Sequence, residues 1–355
     1  MKIRKRYQLL FVSILSASLL AIAVSVPESD SCKNEKYQTA EPGTCLDPKA
    51  YRLLKALEKV ENNPYNNEFA KRVIDIFEPK IRKQVDTEVR YDSIHIPIRI
   101  YYPSKKSIET PTHVILYIHG GGFMYGSIEE YDMAVKKLAK ITDKIVISLD
   151  YRLAPEYPFP AALNDISAVL NWILNNLEEI GGKGSQVIVM GDSAGANLAT
   201  VLVLKLKDEN KEAVLCQVLY YPPTSFLETE YPSRLYFLRD ERRNYLISEE
   251  FVRRSKENYL PDSIPDDYPY VSPMYANLEG RIPASLIMTA QVDPLRDEGR
   301  IYAEKLKAAG HEVRYIEYPG VVHGFFNLYM ILDAGKESMQ QASDFIDAQI
   351  IASGF

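Results

Sequence analysis

From Val114 onward, short apolar runs alternate with longer segments whose apolar residues recur at the spacing of a helix. Strands that are apolar along their whole length are buried on both faces, as in a parallel sheet covered by helices. The alternation therefore predicts an α/β fold with a mostly parallel central sheet and helices on both faces. Upstream, residues 85–91 and 94–101 alternate apolar and polar side chains, which predicts a half-exposed antiparallel hairpin. The predicted strands of the alternating region are residues 114–118, 144–149, 187–190, 213–220, 284–289 and 312–317, and its helices are residues 128–141, 161–177, 197–204, 298–309 and 336–350.

One long insertion interrupts this alternation. Residues 225–275 are rich in tyrosine, proline and charged side chains and contain one predicted helix, residues 248–259, which begins at a serine cap. An insertion of this length between two core strands is typically a lid. Residues 49–60 and 69–77 also have helical spacing. We therefore expect a helical cap built from about residues 48–80 and 225–275.

A serine flanked by glycines lies between a predicted strand and a predicted helix, in Gly191-Asp192-Ser193-Ala194-Gly195. This arrangement is typical of a nucleophile elbow, in which the serine adopts a positive φ and the small neighbours let strand and helix approach closely. The serine hydroxyl then projects above the sheet, and the start of the helix directs N–H groups at a reacting oxygen. The pattern alone also occurs in ordinary loops, so its meaning depends on the rest of the chain.

Three glycines directly follow the predicted strand 114–118, in His119-Gly120-Gly121-Gly122. Such a loop turns tightly and presents N–H groups to an oxygen, as acyl transfer requires, although a flexible turn is the alternative. The N–H of Ala194 would add to these donors. Phe123 and Met124 follow the loop and are candidates either for lining a substrate pocket or for the core.

A candidate acid and a candidate base follow in the chain order that an elbow serine requires. Asp293 comes after the predicted strand 284–289, and His323 comes after the predicted strand 312–317. Both fall at carboxyl ends of strands, where reactive groups of such folds gather. For Asp293 a helix cap is the alternative, and Asp297 is a competing acid. His311 is a rival base, but it opens a strand at the opposite end of the sheet.

Together these motifs resemble the hormone-sensitive-lipase-like esterases of the α/β-hydrolase superfamily. The resemblance implies that Ser193, Asp293 and His323 form a catalytic triad, that Gly121, Gly122 and Ala194 supply the oxyanion hole, and that no cofactor takes part. It also implies a serine carboxylesterase that cleaves short- to medium-chain acyl esters through an acyl-enzyme. Ala196 stands where relatives often carry another glycine. The matching segments are residues 119–122, 150–156, 191–195, 293–299 and 323–325.

Two other functions remain open on the sequence. An amidase or deacetylase uses the same triad, and a non-catalytic ligand-binding receptor can retain the same fold. The presence of His323 argues against the receptor. A net charge of −6 and the lack of a basic patch beyond the first six residues argue against a nucleic-acid partner. The expected partner is a small-molecule ester, and the scattered histidines predict no metal site.

The first 26 residues predict an export signal. A basic start, residues 1–6, precedes the apolar run 9–26, as in a secretory signal peptide, and the alternative is an uncleaved membrane anchor. We expect a polar linker at 27–47, the hydrolase domain at 48–355, and a periplasmic or secreted protein.

The three cysteines fit export. In an oxidising compartment Cys32 and Cys45 can form a disulfide, with two free thiols as the alternative. Cys216 lies in an apolar run and is predicted to be a buried, inert thiol.

Overall fold

A single sheet organises the described parts of the chain, which in this computed structural model are residues 34–60, 78–105, 109–240 and 245–354. It has eight strands in the order β1-β2-β4-β3-β5-β6-β7-β8. Strand β2 pairs antiparallel with β1 and β4, and all other neighbours pair in parallel. The strands are β1 (Lys83–Tyr91), β2 (Ile94–Tyr102), β3 (Val114–Ile118), β4 (Ile145–Leu149), β5 (Val187–Asp192), β6 (Val214–Tyr220), β7 (Ala284–Val292) and β8 (Val313–Val322).

Helices cover both faces of this sheet, as the sequence predicts. The described α-helices are α1 (Pro48–Val60), α2 (Ile128–Thr142), α3 (Ala161–Asn175), α4 (Ala194–Asp208), α5 (Pro232–Leu238), α6 (Glu249–Tyr259), α7 (Arg296–Ala308) and α8 (Asp333–Ala352). Side chains of α3, α4 and α7 belong to one buried apolar cluster, and those of α1, α2 and α8 belong to a second. Strand β3 contributes to both, since Leu116 belongs to the first cluster and Tyr117 to the second.

The predicted strands and helices form where the sequence indicates, with small differences at their ends. Strand β8 continues to Val322, beyond the predicted end at residue 317, because Val322 still pairs with Val292 of β7. Helix α6 begins after Ser248, whose side chain accepts a hydrogen bond from the Phe251 N–H, so the predicted serine cap is confirmed. Helix α5 was not predicted from the sequence, because it is short and lies in a segment without apolar periodicity.

The segment predicted as a polar linker packs against the folded domain over its described part, residues 34–47. Leu46 is completely buried, and the Asp47 N–H donates to the Gly320 carbonyl at the end of β8. Glu41 forms an ion pair with Arg296 of α7. These apolar and ionic contacts give the segment a fixed place that its polar composition did not indicate.

Several predictions concern residues outside the described ranges. These include the export signal at 1–26, Cys32, and the predicted helix at 69–77. Among the described cysteines, Cys216 is a buried free thiol and Cys45 is disulfide-bonded. The pairing of Cys45 with Cys32 stays a prediction. Within the described ranges, no helix is both long enough and apolar enough to cross a bilayer.

Truncating Leu116 to alanine should destabilise the fold by about 2 to 5 kcal/mol, because a fully buried leucine in a central strand leaves a cavity when shortened. Urea unfolding followed by circular dichroism measures this free energy. The matched strand control is Thr87→Ala in β1, an exposed position where a change within about 0.5 kcal/mol is expected. Equal effects of the two substitutions would contradict the burial described here.

Candidate active site

Ser193 lies at the junction of β5 and α4 in a conformation that few residues adopt. Its φ is 51° and its ψ is −124°, a left-handed geometry that costs on the order of 1–3 kcal/mol. Strand β5 and helix α4 meet so closely that a Cβ on Gly191 would overlap the Gly195 carbonyl oxygen. A Cβ on Gly195 would overlap the Ile118 carbonyl oxygen at the end of β3. The Ser193 N–H donates to the Tyr220 carbonyl at 2.9 Å, which fixes the junction to β6.

Three side chains from three strand ends meet at this junction. His323 follows β8, and its Nε2 lies 2.9 Å from Ser193 Oγ. Asp293 follows β7, and its Oδ2 lies 2.7 Å from His323 Nδ1. The other oxygen of Asp293 accepts the Leu295 N–H at 2.8 Å. A hydroxyl, an imidazole and a buried carboxylate in this order are arranged to move a proton off the hydroxyl.

The neighbouring ring of Tyr221 fixes the imidazole in place. The centroids of Tyr221 and His323 lie 4.4 Å apart. Tyr221 is itself fully buried and has a positive φ of 39° directly after β6. His323 therefore contacts a tilted, buried ring and has a hydrogen-bond partner at each nitrogen.

The glycine loop after β3 lies beside Ser193. Gly121 and Gly122 have φ values of 112° and 60°, which favour glycine. None of the described residues accepts a hydrogen bond from the N–H groups of Gly121, Gly122 or Ala194. Gly122, Ser193 and Ala194 line one cleft, so these three residues face the same space.

His119 packs inside this loop and contacts its backbone. Its Nδ1–H donates to the Gly120 carbonyl at 2.8 Å, and its ring stacks on Tyr151 with centroids 4.3 Å apart. Complete burial lowers the pKa of His119 to about 4, so the ring is neutral at ordinary pH. The Tyr151 hydroxyl donates to the His119 carbonyl at 2.8 Å.

A buried carboxylate, Asp192, ties the glycine loop to the elbow. Its Oδ1 accepts the Gly120 N–H at 2.9 Å and the Tyr117 hydroxyl at 2.8 Å. The hydroxyls of Tyr131 and Tyr221 approach Oδ2 at 3.4 Å. Burial raises the pKa of Asp192 to about 6, although these hydrogen bonds oppose the shift.

A cleft of about 800 Å³ opens from Ser193 toward the cap helices α5 and α6. Phe123 lines it and stacks on Tyr259 at the end of α6, with centroids 4.0 Å apart. Met124 is buried in the apolar cluster and does not line the cleft. Other apolar lining residues include Phe226, Leu235, Phe251 and Leu295. In the described part of the predicted N-terminal cap, α1 packs near β8 and contributes no lining residue.

The rival acid and base have partners other than Ser193 and His323. Asp297 accepts the Ser233 N–H at 2.9 Å, which anchors the start of α5. His311 has its Nε2 2.8 Å from the Leu278 carbonyl. Over the described ranges, no cluster of three or more histidine, cysteine or carboxylate side chains could hold a metal ion.

Comparison with known proteins places this geometry in a family. A family model described as alpha/beta hydrolase fold matches residues 115–327. The chain is 34% identical over 265 residues to carboxylesterase NlhH of Mycobacterium tuberculosis, covering 73% of this chain and 80% of the relative. The chain belongs to the α/β-hydrolase family. Within it, the hormone-sensitive-lipase-like esterases are the group that the motifs indicate.

Two further relatives of this α/β hydrolase support the assignment. The chain is 33% identical to the solved esterase of Pyrobaculum calidifontis, with a TM-score of 0.73 and coverage of 80% of this chain and 91% of that one. It is 30% identical over 289 residues to human arylacetamide deacetylase-like 2, covering 65% of this chain and 71% of the relative. The predicted fold class and family are therefore confirmed.

The partners of Asp192 and the contact of Glu41 with Arg296 were not found from the sequence. The tyrosine partners of Asp192 come from three different parts of the chain, Tyr117, Tyr131 and Tyr221. Its position next to the elbow serine was the only available signal. Glu41 lies 255 positions before Arg296, and no local pattern indicates such a pair.

The raised pKa of Asp192 predicts a specific pH dependence of stability. A carboxyl whose folded pKa is raised binds its proton more tightly when folded, so its contribution to the free energy of unfolding falls as pH rises from 3.8 to about 6. Asp192→Asn lacks this component. Relative to wild type, the variant should gain about 2 kcal/mol in its free energy of unfolding between pH 4.5 and pH 7.

Urea unfolding at pH 4.5 and pH 7 measures this difference, because the raised pKa of Asp192 lies between the two pH values. The matched control is Asp262→Asn, which removes one carboxylate from an exposed position. A difference between Asp192→Asn and wild type that is the same at both pH values would contradict the raised pKa.

Proposed function

We propose that Ser193, His323 and Asp293 hydrolyse a carboxylic ester through an acyl-enzyme. The observation that carries this proposal is the 2.9 Å contact between His323 Nε2 and Ser193 Oγ at the floor of an open cleft. The chain is a carboxylic ester hydrolase, as its relatives named carboxylesterase and esterase indicate.

Acylation begins with transfer of the Ser193 hydroxyl proton to His323 Nε2. The freed oxygen attacks the ester carbonyl carbon, and the carbonyl π electrons move onto its oxygen. When this tetrahedral intermediate collapses, the bond to the alkoxy oxygen breaks, and the proton on His323 passes to the leaving alcohol. Ser193 then carries the acyl group as an ester.

Deacylation repeats the same proton transfers with water. His323 takes a proton from a water molecule, the hydroxide attacks the acyl carbon, and a second tetrahedral intermediate forms. Its collapse returns the proton to Ser193 Oγ and releases the carboxylic acid. Asp293 fixes the tautomer with Nδ1–H toward the carboxylate and stabilises the imidazolium through the 2.7 Å hydrogen bond.

The N–H groups of Gly121, Gly122 and Ala194 are the proposed oxyanion hole. They have no acceptor among the described residues, so they are available to a developing oxyanion. Asp192 and His119 hold the loop in place before substrate arrives. Donors fixed in advance need no reorganisation during the reaction, and removing one of them typically costs about 10²–10³ in kcat.

The cleft supports short- to medium-chain acyl esters as the substrate class. Its apolar wall near Ser193 is formed by Phe123, Phe226 and Leu295. Farther out, the lining carries charged side chains of the cap, including Glu250 and Arg253. A long acyl chain would have to lie against these charges, which is unfavourable.

Amide hydrolysis is the second candidate, and the observation that favours it is the relative named arylacetamide deacetylase-like 2. The same triad can cleave an anilide if His323 protonates the departing amine. A comparison of matched ester and anilide substrates separates the two activities.

The full chain should hydrolyse p-nitrophenyl acetate and butyrate far faster than the palmitate ester or p-nitroacetanilide. Ser193→Ala should lower kcat by more than about 10⁴-fold, because the nucleophile is removed while the oxyanion hole remains. Release of p-nitrophenol or p-nitroaniline is followed by absorbance, and thermal unfolding of the variant shows that it is folded.

The control is Ser167→Ala in α3, a serine that donates only to the carbonyl one helical turn away and should leave turnover within about twofold. A Ser193→Ala protein as active as wild type would contradict the proposed nucleophile. Faster turnover of the anilide than of the acetate would favour the amidase. A folded wild type without either activity would favour a ligand-binding receptor.

We also propose that residues 1–26 direct export, on the basis of their basic start and apolar run. The intact mass of protein purified from the exported fraction should then correspond to a chain lacking about the first 26 residues. A membrane-bound chain that retains Met1 would contradict cleavage and support the anchor.

A further inference from the structure

Residues 34–47, called the strap below, form a small closed unit against the carboxyl edge of the sheet. Gln38 and Cys45 pair in an antiparallel bridge, and the Thr39 hydroxyl donates to the Thr44 carbonyl at 3.1 Å. Tyr37 and Leu46 are buried. The strap therefore has a defined shape and is fastened to the domain by its own apolar side chains.

The strap contacts the segment that carries the catalytic acid. Glu41 and Arg296 form a two-point ion pair, with Nη1–Oε2 at 2.6 Å and Nη2–Oε1 at 2.9 Å. Both side chains are largely buried, with 16% and 10% exposed. Arg296 lies three residues after Asp293 in the same turn, whose backbone is closed by the Arg296 N–H donating to the Asp293 carbonyl at 3.1 Å.

The strap also contacts the segment that carries the catalytic base. The Asp47 N–H donates to the Gly320 carbonyl at 2.8 Å, three residues before His323. Gly320 has a φ of 68°, and a Cβ there would lie 2.7 Å from Asp47 N and 3.0 Å from Cys45 O. Strap and strand end are thus in direct backbone contact at a site that only glycine fits.

A third residue joins these two contacts. Gln291 of β7 accepts Arg296 Nη1–H through its carbonyl at 3.1 Å, and its side-chain oxygen accepts the Gly320 N–H at 2.9 Å. Glu41, Arg296, Gln291 and Gly320 therefore form a continuous chain of hydrogen bonds. It runs from the strap, past the turn that carries Asp293, to the end of β8, three residues before His323.

The charge of Glu41 matters because Arg296 is partly buried. Arg296 also faces Asp297 at 3.2 Å and, more weakly, Glu317 at 4.0 Å, and its guanidinium lies over the Phe237 ring. Its pKa is raised by these acidic neighbours, with Glu41 the first contributor after the opposing effect of burial. Without Glu41, the guanidinium is drawn toward Asp297, which pulls on the turn that holds Asp293.

We propose that Glu41 is a positioning residue for the catalytic acid and base, acting through Arg296 to hold Asp293 at hydrogen-bond distance from His323. This inference rests on the proposed roles of Asp293 and His323. It assigns a part in catalysis to a segment that lies outside the matched family region, residues 115–327. Neither Glu41 nor Arg296 lines the cleft, so the effect falls on kcat and leaves KM unchanged.

A double-mutant cycle tests the proposal on the full chain with p-nitrophenyl butyrate. Glu41→Gln should lower kcat about 10-fold with KM within about twofold, since a small displacement of a catalytic group costs rate. Asp293→Asn alone should lower kcat by about 10⁴-fold. In the Asp293→Asn background, Glu41→Gln should cause no further loss, because the residue through which Glu41 acts is already disabled.

The control on the same segment is Glu35→Gln, an exposed side chain that should leave kcat unchanged in both backgrounds. The background rate measured with Ser193→Ala is subtracted from every rate. All rates are measured well below the unfolding temperature of each variant. If Glu41→Gln does not fold, Glu41→Asp, which keeps the charge but shortens the reach, replaces it in the same cycle.

Two outcomes overturn the proposal. One is a kcat for Glu41→Gln within about twofold of wild type, and the other is an equal loss in both backgrounds, which marks a purely structural role. If Asp293→Asn itself retains wild-type kcat, the proposed triad fails instead. The two proposals therefore fail by different measurements.

Discussion

The close approach of β5 and α4 at Ser193 is the constraint on which the site depends. The two elements meet at a distance where Gly191 cannot carry a side chain, Gly195 lies against the end of β3, and Ser193 is held with a positive φ. This geometry lifts the hydroxyl above the sheet and aims the start of α4 at the same space. The strain at Ser193 persists because strand, helix and glycine loop all pack against the turn.

A second constraint is that six consecutive residues, 293–298, make the contacts with the imidazole, the strap and the cap. Asp293 contacts the imidazole, Arg296 contacts the strap, and Asp297 anchors α5. Glu298, completely buried, accepts N–H groups at the base of the cap and pairs with Arg234 at 2.6 Å. Asp293, the contact with the strap and the anchor points of the cap therefore lie within one turn and the first residues of α7.

The sequence predicted the parts of this arrangement that depend on local pattern. Apolar runs and helical spacing located the strands and most helices. Glycine-rich motifs located the turn that carries Ser193 and the loop 119–122 beside it. The placement of Asp293 and His323 followed from the rule that parallel strands bring their carboxyl ends to one edge. Side-chain pairs between distant parts of the chain could not be predicted, since Glu41 with Arg296 and Asp192 with its tyrosines have no local signature. Helix α5 was missed because its stability comes from Asp297 and Glu298 rather than from periodicity.

The contact between the cap and the glycine loop has a consequence for how substrate range can change. At Gly122 the loop backbone lies directly against α6, where a Cβ would come within 2.6 Å of Ser255 Oγ and 2.7 Å of the Phe251 ring. No side chain separates the cap from the proposed oxyanion donors. A change in the cap that admits a larger acyl group would therefore also alter the surface that packs on Gly122, one of the proposed oxyanion donors. One helix, α6, thus borders both the space for substrate and the glycine loop.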